Sequence, residues 1–89
     1  MATKPPPEVK KHPEDSLETK AYKSVEDIPT REPNDQNRLG FHVWRWLSGK
    51  QNTTLDEQIT VSGARLLISE KEAKEKIIAK LKEMNVTLP

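Results

Sequence analysis

Cysteine is absent from the 89 residues, so neither a disulfide framework nor a thiolate metal site is available. A small chain without either device is expected to work inside the cell. Long apolar runs are missing too. None approaches the roughly 18–20 residues a bilayer span needs, and Met1-Ala2-Thr3-Lys4-Pro5-Pro6-Pro7 lacks the apolar core of a secretory signal. The expectation is a soluble or complex-bound protein with no membrane span. Charge of one sign is also lacking: 15 basic and 14 acidic residues leave a formal net charge of +1. No overall field draws the chain to nucleic acid or to an anionic membrane.

Glycine is scarce, and Gly40, Gly49 and Gly63 stand apart, so no glycine-rich phosphate loop exists; Ser48-Gly49-Lys50 lacks the upstream spacing of one. Histidine is limited to His12 and His42. His12 has Glu14 and Asp15 nearby, which is a solvated local cluster rather than a metal set, and His42 has no second histidine in its half of the chain. Carboxylate pairs such as Glu26-Asp27 and Asp56-Glu57 are sequence neighbours, not groups converging from different elements. Neither a catalytic constellation, nor a metal site, nor a cofactor-binding motif is legible, and the expectation is a protein that is not an enzyme.

What is present divides the chain near Arg38. Residues 1–37 hold 8 apolar residues, whereas residues 38–89 hold 21. Six of the seven prolines (Pro5, Pro6, Pro7, Pro13, Pro29 and Pro33) fall in the first part, where each fixes φ and removes a donor. Residues 1–37 therefore read as an extended or disordered leader, too poor in apolar surface to offset its own chain entropy. Within it Leu17, Ala21, Val25 and Ile28 recur at spacings of four, four and three, predicting a helix over 14–28 that forms on binding, with Leu17, Val25 and Ile28 as its contacts. Ser24, followed by Glu26-Asp27, has the acidic context of a phosphorylation site.

Residues 38–89 read as a small folded domain of two or three helices, and the fold class as mainly α. Both tryptophans and the only phenylalanine fall in Leu39–Leu47. As a helix, this segment takes its cap from Asn34 or Asp35, lines Leu39, Val43 and Trp46/Leu47 inward, and stops at Gly49. As a strand, it alternates Phe41 and Val43 against Trp44 and Trp46. The helical terminal signals favour the first, in spite of Gly40, which costs a helix about 1 kcal/mol relative to alanine. Thr54 with Glu57 reads as a capping box, although Ile59-Thr60-Val61 before Ser62-Gly63 also suits a strand and turn. A small α+β unit, with strands at 41–47 and 57–68 under the C-terminal helix, is thus the alternative fold. Ser69 with Glu72 opens a helix over 70–84 that Asn85 closes in a left-handed conformation. Its stripe of Ala73, Ile77, Leu81 and Met84 serves either its own core or a partner.

Function follows from the aromatic segment. Phe41, Trp44, Arg45 and Trp46 combine the residue types that dominate protein-binding hot spots. On a helix Trp44 and Trp46 stand about 200° apart, so one of them leaves the main core face. The leading expectation is a non-catalytic binding subunit, adaptor or inhibitor on a larger protein or complex, using these four residues with Leu17, Val25, Ile28, Ile77 and Leu81. The alternative is a nucleic-acid-binding module in which Arg38, Arg45, Lys50 and Arg65 meet phosphate and a tryptophan stacks on a base.

Overall fold

In the computed structural model residues 16–49 and 52–89 are described, and each helix begins where a residue of short polar side chain or a proline supplies the start. Ser16 Oγ accepts from Thr19 N–H at 3.1 Å and opens α1, Leu17–Ser24. Pro33 occupies the first turn of α2, Pro33–Leu47, where its missing N–H is no loss. Thr54 and Glu57 exchange both capping-box bonds, at 3.2 and 2.9 Å, and open α3, Leu55–Ser62. Ser69 accepts from Glu72 N–H at 3.0 Å and opens α4, Glu70–Glu83.

The ends are as local as the starts. Gly49 (φ +71°) and Gly63 (φ +74°) take the left-handed turn after α2 and α3. Asn85 (φ +62°) does so after α4, with Asn85 N–H on the Lys82 carbonyl and Val86 N–H on that of Leu81. This is the Schellman pattern, and Val86 packs against the core beside it.

The protein is mainly helical, as the sequence indicates, and no strand is formed among the described residues. The alternative hairpin over 41–47 and 57–68 does not occur. The capping box and the left-handed Gly63 enclose the β-branched run, which then costs too little helix propensity to prevent α3. The only extended pairing among these residues is an antiparallel bridge between Thr30 and Leu66. There Arg31 N–H donates to Arg65 O and Leu67 N–H to Pro29 O.

Helix α1 packs on α2, α2 on α3, α3 on α4, and α4 returns to α1, so the four close a ring around one core. Ala21, Val25 and Ile28 enter it from the first part of the chain. Leu39, Val43, Trp46 and Leu47 come from α2, Leu55 and Ile59 from α3, and Ala73, Ile77 and Leu81 from α4. The division at Arg38 is therefore not a division of the fold: residues 16–37 build the same core as 38–89. Ala21, Val25 and Ile28 are too few to bury one another, but they complete an apolar surface that α2 and α4 already present.

Helix α1 is also shorter than the expected 14–28. Ser24 Oγ donates to the Ala21 carbonyl at 2.6 Å, and the chain then turns away. The Gln36 amide takes the carbonyls of that turn, lying 3.0 Å from Val25 O, 3.2 Å from Glu26 O and 3.1 Å from Ile28 O. Residues 14 and 15 lie outside the described residues. Lys80 Nζ, 3.0 Å from Asp27, fastens α4 to the same turn.

Gly40 marks the closest approach of α1 and α2. A Cβ built there stands 2.5 Å from Cδ1 and 3.0 Å from Cγ of Tyr22, so only glycine admits the ring at this depth. The helix accepts its propensity cost in exchange for the packing.

Candidate functional site

Helix α2 turns two faces inward, and what remains outward is a strip of Asn34, Asn37, Arg38, Phe41, Trp44, Arg45 and Ser48. At 3.6 residues per turn these positions fall along one side of the helix. Phe41, at its centre, is 41% exposed. Its ring meets Trp44 in a tilted contact with centroids 5.8 Å apart and His42 edge to face at 5.5 Å. The Arg45 guanidinium lies 5.7 Å from the Phe41 centroid, within cation–π range. Trp44 is half-buried and leans on the core, which limits its rotamers. The result is a small, pre-shaped aromatic surface edged by a cation.

The other expected contact residues go elsewhere. Trp46, 7% exposed, is a core side chain, which realises the 200° separation from Trp44. Val25, Ile28, Ile77 and Leu81 are buried in the core and present nothing to a partner. Of the first-part contacts only Leu17 remains exposed, at the start of α1. Ser24 is buried with its hydroxyl committed to Ala21, so a kinase cannot reach it without unfolding the turn.

The arginines of the phosphate-binding alternative are largely engaged. Asp35 is fully buried, with Oδ1 2.6 Å from Arg38 Nη1 and Oδ2 3.2 Å from Arg65 Nε; Arg65 Nη2 also lies 3.0 Å from Glu32. This cluster was not legible in the sequence, because Arg65 reaches Asp35 across 30 positions and only the bridge to Thr30 and Arg31 brings it there. Asp35 consequently serves as an ion-pair partner and leaves the start of α2 to Pro33. Lys50 lies outside the described residues.

Burial alone would raise the Asp35 carboxyl. The charge and hydrogen bond of Arg65, followed by those of Arg38, outweigh it and hold the group below its ordinary value. A carboxyl depressed in the folded state stabilises above its unfolded pKa of about 3.9 and loses that contribution as pH falls through the folded value. Asp35→Asn is therefore expected to lower the urea midpoint at pH 7 and to lose less than the parent between pH 5 and pH 2. An equal acid loss in both proteins would place the titrating group elsewhere.

His42 joins two helices. Its Nδ1 is 3.0 Å from Gln58 Oε1, and Gln58 Nε2 donates to Thr53 Oγ1 at 2.8 Å, tying α2 to α3 and to the loop before it. Among the described residues no cluster of histidine and carboxylate side chains can hold a metal ion, and no helix is long and apolar enough to cross a membrane. An open groove of about 590 Å³ runs between Trp46, Leu55, Lys74, Ile78 and Pro89; Lys74 in it is paired to Asp56 at 3.0 Å. Comparison with family models, curated proteins and solved structures finds no match.

Proposed function

We propose that this chain is a small non-catalytic protein-binding subunit, an adaptor or inhibitor, that docks on a larger protein through the outward face of α2. The observation that carries this reading is Phe41, a large aromatic side chain left 41% exposed at the centre of a ring cluster although the core has taken Trp46. An aromatic anchor with an arginine beside it, held by packing beneath, loses little entropy on binding and resembles the hot spots of protein interfaces. The absence of cysteine fits an intracellular setting.

The nucleic-acid alternative is weaker on the same geometry. Arg38 and Arg65 share the carboxylates of Asp35 and Glu32, which leaves a short supply of free charge for a phosphate track.

A photo-reactive amino acid placed at Phe41 in living cells tests the reading, with Lys71, exposed on α4, as the control position. A discrete cross-linked protein from position 41, absent from position 71 and diminished by Arg45→Ala, is the expected result. No adduct at 41, or the same adducts from both positions, would defeat it.

A further inference from the structure

We infer that the outward face of α2 receives an acidic segment of the partner protein, with a carboxylate on Arg45 and an apolar side chain against Phe41 and Trp44. This rests on the proposed docking role of that face and adds the chemistry of what docks. The first observation is the charge of the strip. Asn34, Asn37, Arg38, Phe41, Trp44, Arg45 and Ser48 include two cations and no carboxylate, and the one acidic residue of α2, Asp35, is buried between guanidinium groups.

The second is the state of Arg45. Among the described residues it has no carboxylate partner, in contrast to Arg38 and Arg65. Its guanidinium fork lies 5.7 Å from the Phe41 centroid, at the outer part of cation–π range, an attraction that uses none of its N–H donors. A carboxylate meets that fork through two parallel bonds. The third is that apolar and charged elements are contiguous: the Phe41 and Trp44 centroids are 5.8 Å apart, so one side chain of leucine size beside the carboxylate covers both. A basic segment would face Arg45, the cation of the strip without a carboxylate partner among the described residues, as a like charge. A purely apolar one would strip water from Arg45 without replacing its hydrogen bonds.

The test uses the full chain and two fluorescein-labelled helical peptides of about twelve residues, with leucine at matching i, i+3 and i+4 positions. One carries glutamate at the remaining positions and the other lysine. Anisotropy titrations are expected to show binding of the acidic peptide only, weakening as salt rises. Affinity should fall about tenfold or more with Arg45→Ala, and likewise when the peptide's glutamates become glutamine, a change that leaves the protein untouched. Arg45→Glu should transfer the preference to the lysine peptide, with circular dichroism confirming that helix content is kept. Equal affinity for the two peptides, or no binding of the acidic one, overturns the inference. If cross-linking from Phe41 still identifies a partner, the docking role stands without the acidic specificity; if it does not, the role itself falls.

Discussion

Ile28→Ala is expected to lower the free energy of unfolding by about 2–5 kcal/mol, although Ile28 lies in the part of the chain poorest in apolar residues. Ile28 is completely buried and ranks with Leu39, Ile77 and Leu81 among the largest side chains in the core. Truncating it removes the transfer energy of three carbons and leaves a cavity that the turn held by Gln36 cannot collapse to fill. A domain of about 70 residues rarely holds more than about 3–5 kcal/mol, so the variant is expected to be largely unfolded or close to it. A urea titration followed by tryptophan fluorescence reports this directly, because Trp46 belongs to the same core. Ile28→Val, a loss of about 0.5–1.5 kcal/mol, provides the scale. If both substitutions shift the midpoint by the same small amount, residues 25–28 do not belong to the cooperative unit.

The second large effect concerns Gly40. Alanine in the middle of an exposed helix usually stabilises it by about 1 kcal/mol over glycine. Here the added methyl would stand 2.5 Å from Tyr22 Cδ1 and 3.0 Å from Cγ. All three of the nearest atoms belong to the ring, Cγ among them, so Tyr22 must leave its rotamer or the two helices must part. Overpacking of this kind costs about 1–3 kcal/mol and Leu39 and Val43, buried to either side of Gly40 on α2, would share the displacement. Gly40→Ala is expected to destabilise by up to about 2 kcal/mol net of propensity. The sign should reverse when Tyr22→Ala is already present, since the space is then free. Such a double-mutant cycle isolates the contact. A stabilising Gly40→Ala in the parent chain would mean that α1 and α2 sit farther apart than described or that Tyr22 turns aside at little cost.

Both cases show where the sequence is legible and where it is not. The start of α3 and both ends of α4 could be read because each signal is local: Thr54 with Glu57, Ser69 with Glu72, and Asn85; the end of α3 could not, because Ser62-Gly63 also suited a turn between strands. The separation of Trp44 from Trp46 followed from helical geometry alone. By contrast, the place of Ala21, Val25 and Ile28 depended on surfaces contributed by α2 and α4, and a count of apolar residues over a window measures only what that window can bury by itself. Gly40 looked like a defect because its reason, Tyr22, lies on another helix. Asp35 looked like a helix cap because its second partner, Arg65, lies 30 positions away. Of the candidate binding residues, the fold leaves Phe41 exposed and Trp44 and Arg45 half-buried beside it, with Leu17 exposed apart from them; periodicity identified the apolar residues without distinguishing inward from outward.

The contact between α1 and α4 also has a bearing on how the chain is made. Of the four helices α1 leaves the ribosome first and α4 last, with residues 25–69 between them. At synthesis rates of about 5–20 residues per second, α1 waits roughly 2–9 seconds for the first of the surface that completes its burial. During that interval Ala21, Val25 and Ile28 have only α2 to shelter against. Charges and prolines flank these three residues in the sequence, and flanks of that kind are the general means by which an exposed apolar segment is kept from aggregating before it is covered.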